Sequence, residues 1–172
     1  MKTVAIIGTG LMGTDIAYAS ANAGFEVLLF DKEKERAARA LSRLHDRYKR
    51  YKDTGRLDQA KADAIMKRFV LCDAIDEIKG AMIVIECAFE DIHVKQQIFR
   101  DLDRVCRADA ALGSNTSSIS ITEIASATKR PESVIGIHFL NPAHVMKLVE
   151  IIPGIATTRE TVETAKHFVK KL

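Results

Sequence analysis

Ser117, His138 and Glu150 are residue types that together can take a proton from an alcohol and steady the oxygen left behind. A carboxylate beside an imidazole fixes the tautomer and favours proton uptake, and a nearby hydroxyl can hold a substrate oxygen. Each residue also has an ordinary alternative: His138 as a satisfied core histidine, Glu150 as a surface charge, Ser117 as a loop cap. A second set is Gly8, Gly10 and Gly13, followed eighteen residues later by Asp31. Gly8 permits a tight turn out of a strand, and Gly10 leaves the backbone open to a pyrophosphate. Gly13 lets the next helix, with Leu11 and Met12 in its first turn, pack close to a sheet and aim its amides at the phosphates. Asp31 stands where a carboxylate hydrogen-bonds the adenosine ribose of NAD. Its charge opposes the 2′-phosphate of NADP, although Lys32 and Lys34 are close by. The two sets together describe hydride transfer to a nicotinamide with a histidine base.

The elements that must position these residues alternate at the spacing of βαβ units. Strands are expected at about Thr3–Ile7, Glu26–Phe30, Phe69–Cys72, Met82–Glu86, Ala110–Gly113, Val134–Phe139 and Lys147–Ile152. Helices are expected at Leu11–Asn22, Ile92–Val105, near Ile121–Ala127 (capped by Ser120 or Thr122), and from Thr158 onward. Val94, Ile98, Leu102 and Val105 are the predicted inward face of the second of these. After the second strand, Ala37, Leu41, Leu44, Tyr48 and Tyr51 draw an apolar stripe on a charged helix. Asp53-Thr54-Gly55 breaks it, and Leu57–Arg68 runs back as a second helix. The fold class is therefore α/β: a Rossmann-type, doubly wound, mainly parallel sheet with a helical hairpin inserted after strand two. Ligands of such sheets bind beyond the carboxyl ends of the strands, where Ser117, His138 and Glu150 fall. Glu90 and Lys95, at the start of a helix, read as a helix-start charge and a surface ion pair, or as cofactor contacts. His144 reads as a loop residue near the site, and His45, His93 and His167 as helix surface.

The chain has 172 residues, one domain's worth, with 47% apolar and 28% charged residues and a net charge of +3. No apolar run approaches the ~20 residues of a membrane span. The first strand starts almost at Met1, which leaves no room for a targeting segment and points to the cytoplasm. Cys72, Cys87 and Cys106 lack metal-like spacing and read as buried reduced thiols. Between Asp31 and Arg68 lie thirteen Lys/Arg and seven Asp/Glu, against thirteen and sixteen elsewhere. With no nucleic-acid recognition motif present, this basic segment reads as a solvated helix face or a site for a polyanionic small molecule.

Several blocks are similar to one family. Gly8-Thr9-Gly10-Leu11-Met12-Gly13-Thr14-Asp15-Ile16-Ala17, Val84 through Lys95, Ser114-Asn115-Thr116-Ser117-Ser118-Ile119, Arg130-Pro131-Glu132, and Gly136 through Glu150 resemble the L-3-hydroxyacyl-CoA dehydrogenases. The resemblance covers essentially the whole chain and implies NAD-dependent interconversion of an L-3-hydroxyacyl-CoA and a 3-ketoacyl-CoA. It implies that His138 is the base, that Glu150 orients it, and that Ser117 and Asn141 meet the substrate. It also implies that Glu90, Lys95 and Asn115 join Gly8, Gly10, Leu11, Met12, Gly13 and Asp31 around the cofactor. The hairpin resembles one that reaches over coenzyme A, with Lys49, Arg50, Lys52 and Arg56 candidates for its phosphates. Leu140 departs from a usual Phe. The family continues past Leu172 into a helical domain that closes the cleft, supplies an Asn and forms a dimer; residues 1–172 correspond to its NAD-binding domain alone, so weak or absent turnover is expected without a partner. A dehydrogenase of another 3-hydroxy or sugar acid, and a non-catalytic dinucleotide-binding protein, are the alternative readings.

Overall fold

A computed structural model describes residues 2–172. The apolar runs become strands at Thr3–Ile7 (β1), Glu26–Phe30 (β2), Phe69–Leu71 (β3), Ile83–Glu86 (β4), Ala111–Ser114 (β5), Val134–Phe139 (β6) and Val149–Pro153 (β7). They form one sheet in the order β3-β2-β1-β4-β5-β6-β7, parallel except for the antiparallel β6–β7 pair. The order reverses between β1 and β4, which opens a crevice at their carboxyl ends. Helices Leu11–Asn22 (α1), Lys34–Asp53 (α2), Gln59–Met66 (α3) and Arg159–Val169 (α6) cover one face. Ile92–Val105 (α4) and Ile121–Ala125 (α5) cover the other.

Each face has its own core. β1 contributes Val4 and Ile6 to one side and Ala5 and Ile7 to the other, the period-two alternation of a strand buried on both faces. The hairpin is anchored by Ala37, Ala40, Leu44 and Tyr48, spaced at three or four along α2. Tyr48 stacks on Tyr18 at 5.5 Å between ring centroids, and its hydroxyl accepts from Asn22 at 2.7 Å. α5 is capped by Ser120, not Thr122, through the Glu123 amide. The inward face of α4 differs from the expected stripe. Lys95, Phe99 and Leu102 are buried, whereas Val94 is exposed. The buried charge of Lys95 turns the helix, and Val94 moves to the solvent side.

The carboxyl end of α4 is closed by Arg130. Its guanidinium donates to the carbonyls of Leu102, Cys106, Arg107 and Ala108 and, at 3.0 Å, to Asp103. The Leu102 and Arg107 carbonyls also accept from the Cys106 and Ala110 amides, whereas the Cys106 and Ala108 carbonyls are of the kind a helix end leaves without intrahelical partners. Arg130→Met leaves the Cys106 and Ala108 carbonyls without their donor and takes the guanidinium from the mostly buried Asp103, which keeps only the Lys129 amide. Stability is expected to fall by about 3 kcal/mol, read from the urea midpoint at unchanged m-value.

Candidate active site

At the crevice, the glycine loop has the shape a phosphate needs. Gly8 has φ +90°, and a Cβ there would lie 2.9 Å from the backbone of Cys87 and Ala88. A Cβ on Gly13 would lie 2.0 Å from the Gly8 carbonyl oxygen, so α1 can sit this close only with glycine at that position. Gly10 is different: a Cβ there would meet nothing within 4 Å. Its missing side chain opens onto free space at the mouth of α1. Among the described residues, no side chain caps α1, and its first turn carries no acidic residue. Amides at Leu11 and Met12 thus face an unoccluded approach, as pyrophosphate binding requires. Leu11, which opens α1, and Phe89, in the loop after β4, are exposed apolar side chains flanking this crevice. These residues fit NAD. Asp31 is largely buried; one oxygen accepts from the Thr9 amide at 2.8 Å and hydroxyl at 3.0 Å, the other from the Glu33 amide at 3.0 Å. The carboxylate fixed to the glycine loop stands beside the turn where the ribose is expected.

Register brings a second group together. Ile7, Glu86, Ser114 and Gly136 lie side by side at the strand ends. His138, two residues past Gly136, projects to the same face. Directly across the antiparallel ladder from His138 is Glu150, with His138 Nδ1 and Glu150 Oε2 2.7 Å apart. An ionised carboxylate only accepts, so Nδ1 carries the proton and Nε2 keeps its lone pair. The histidine side chain is 18% exposed and the glutamate 51%. Such a pair is the arrangement a general base requires. Ser117 and Asn141 lie exposed on the loops after β5 and β6. Asn115 spans the two strands: its Oδ1 accepts from the Phe139 amide at 2.8 Å, next to the histidine.

Glu90 and Lys95 do not form a surface pair. Lys95 is 1% exposed, and its ammonium lies 2.8 and 3.0 Å from the two Glu86 oxygens and 3.2 Å from Glu90. Glu86 is fully buried and also accepts from Ser114 Oγ at 2.6 Å and the Ala88 amide at 2.6 Å. Glu90 is partly exposed and accepts from Thr116 Oγ1, from Ser118 Oγ at 3.2 Å and from the Ser117 amide at 3.3 Å. Burial alone would raise its carboxyl, but the hydrogen bonds and the Lys95 charge hold it below the usual glutamate value. Glu86, Ser114 and Thr116 went unread in the sequence; a glutamate closing an apolar strand was the available signal. Burial pushes the Cys72 and Cys106 thiols up to about 11, and burial beside Glu86 pushes Cys87 up as well. None of the three is poised as a nucleophile.

This fold and site define a dinucleotide-binding domain with a hydrogen-bonded histidine–glutamate pair at its strand ends. Residues 3–172 match the family described as 3-hydroxyacyl-CoA dehydrogenase, NAD binding domain, and the chain belongs to that family. It is 40% identical over 172 residues to a probable 3-hydroxybutyryl-CoA dehydrogenase of Bacillus subtilis, covering all of this chain and 60% of that protein. It is 44% identical over 163 residues to the 3-hydroxyadipyl-CoA dehydrogenase of Escherichia coli, covering 95% of this chain and 34% of that protein. The crystal structure of an E. coli 3-hydroxybutyryl-CoA dehydrogenase superposes with a TM-score of 0.94 at 42% identity, over 99% of this chain and 36% of that one. The chain thus spans between about a third and three fifths of these relatives. Among the described residues, no helix is long and apolar enough to cross a membrane.

The Glu90 cluster has a pH signature. A carboxyl held low in the folded state contributes stability above its unfolded value, and that stability is lost as pH falls through the folded value. Thr116→Val removes one of the hydrogen bonds and raises the folded value. The variant is expected to be less stable than wild type at neutral pH, with the gap narrowing as acid protonates Glu90 in both. Urea melts from neutrality down toward pH ~3 check this; a gap that widened in acid would contradict it.

Proposed function

We propose that this chain is the cofactor-binding and general-base part of an NAD-dependent 3-hydroxyacyl-CoA dehydrogenase. The observation that carries the reading is the 2.7 Å His138–Glu150 pair at the strand ends beside the glycine crevice. Bound NAD supplies the hydride acceptor. His138 Nε2 takes the proton of the substrate hydroxyl as hydride leaves the same carbon, and returns it in the reverse direction. Glu150 holds the ring by Nδ1 and stabilises the imidazolium that forms. Ser117 Oγ and Asn141 hold the substrate oxygen, and Asn115, Glu90 and Lys95 shape the cofactor side of the loop after β5. Lys95, being buried, acts through Glu86 and Glu90. A non-catalytic binding module would need no His138–Glu150 pair.

The hairpin supports the acyl-CoA part of the reading. Arg47, Arg50 and Arg56, with Tyr51 and Thr54, line an open cleft of about 660 Å³. Arg47, Arg50 and Thr54 share one face of α2 by their spacing. Lys49 and Lys52 turn elsewhere, lining a separate groove with His45, Asp63 and Met66. The basic surplus therefore divides, and the arginine cleft is the part suited to nucleotide phosphates. The share of each relative beyond this chain is where the remainder of a closed substrate site would come from, and with it a dimer interface. Three unpaired cysteines fit a reducing, cytoplasmic setting.

Titrating the chain with NADH tests the cofactor; failure to bind would overturn the proposal. NADH is expected to bind well ahead of NADPH, and Asp31→Ala to narrow that preference. With acetoacetyl-CoA present, slow NADH oxidation is expected, and His138→Gln lowers it about 10³-fold at unchanged NADH affinity. Arg50→Glu combined with Arg56→Glu weakens acetoacetyl-CoA binding roughly tenfold, whereas Lys49→Glu does not; equal effects would remove the arginine cleft from the substrate site.

A further inference from the structure

Asp15 is a carboxylate on a helix face otherwise built from small and apolar residues, and nothing above gives it a task. It is 4% exposed on α1, immediately after the glycine loop. Burying an ionised carboxylate is costly unless it is paired. Its partners come from two distant parts of the chain. Oδ2 lies 2.9 Å from His144 Nδ1, in the segment between β6 and β7, and Oδ1 lies 3.4 Å from an Arg47 Nη on α2. The Arg47 guanidinium also stands 4.7 Å over the Tyr18 ring, and Tyr18 meets the His144 ring edge-on at 5.9 Å.

Residues 140–148 need such an anchor. They hold Asn141 and join the strand of His138 to the strand of Glu150. Val145, Met146 and Leu148 are exposed, and Ala143 is the one side chain of the segment buried in the core. Two turn bonds, from the Val145 and Met146 amides to the Pro142 carbonyl, hold the segment to itself and not to the rest of the protein.

We infer that Asp15 is a positioning residue: through His144 it fastens the 140–148 segment to the cofactor helix, and through Arg47 it ties the same helix to the arginine cleft. The inference rests on the proposed function for the role of the segment, but its geometry does not. Asp15 touches neither substrate nor cofactor. It acts by setting where Asn141 stands relative to a dinucleotide held by α1.

The test is amide hydrogen exchange on the whole 172-residue chain, read by mass spectrometry. In His144→Ala and in Asp15→Ala, peptides covering 140–148 are expected to exchange about tenfold faster, with β1 unchanged. The double variant exchanges no faster than either single one, since both break one contact. Conservative variants rescue: Asp15→Asn keeps an acceptor, and His144→Asn places an amide nitrogen near the position of Nδ1. Wild-type exchange in His144→Ala, or independent effects in the double variant, overturns the inference. If Asp15→Ala fails to fold, the exposed-loop comparison of His144→Ala with His144→Asn decides alone. NADH titration of the same samples separates the two failures. A chain that binds no NADH loses the proposed function, while unchanged exchange in His144→Ala with NADH binding intact removes only the role of Asp15.

Discussion

Glu86 is the side chain on which the rest of the site depends. It has no contact with solvent, sits at the end of a central strand, and meets three donor groups in four contacts. Two of those contacts come from Lys95, so the position of α4 is set by a charge as well as by its apolar stripe. Another comes from Ser114, which pins the end of β5. Lys95 then reaches Glu90, and Glu90 gathers the hydroxyls and the amide of residues 116–118. A chain of hydrogen-bonded charges therefore runs from the sheet to the loop bearing Ser117 before any ligand arrives. An apolar core of the same volume would be as stable or more so. What the buried charges confer is one fixed arrangement of this loop, since a slipped register would leave a carboxylate unpaired.

The parts of this molecule that were legible in the sequence are those governed by local rules. The glycine loop reads directly, because backbone conformation and close approach at Gly8 and Gly13 admit no other residue. Strands β1, β2 and β6 and helix α1 fall on their expected bounds, since each is a short apolar run or a small-residue helix closed by a turn. Ends drift where a helix frays or a strand starts in a loop: β7 begins at Val149 rather than Lys147, and α5 stops at Ala125 rather than Ala127. The short turns of 3-10 helix at Ile75–Gly80 and Pro131–Ser133 carry no periodic signal and went unread. Lys95 and Asp15 were opaque for another reason. A charged residue on a helix reads as solvent-facing unless its partner is known, and both partners lie on other elements.

The direction of β7 was available and was not used. Nine residues separate Phe139 from Val149, fewer than the dozen or more that a parallel crossover requires. An antiparallel return is the remaining choice. Once β7 returns beside β6, pairing of residues equidistant from the turn places Glu150 opposite His138. The His138–Glu150 pairing thus follows from a loop length and a ladder, with no special backbone at either residue.

That same reversal puts Glu150 on the outermost strand, with His138 one strand further in. β7 is half-covered: Ile152 is exposed, as are Ile155 just past its end and Leu148 just before it. Glu150 is more than half open to water. A carboxylate in that state can still fix the ring by its hydrogen bond, while solvent screens its charge. Any surface laid along this edge would do two things at once. It would remove the apolar side chains from water, and it would shield the 2.7 Å His138–Glu150 contact from solvent. The edge strand therefore sets the aim of the histidine ring through the ladder while leaving its carboxylate partner open to water.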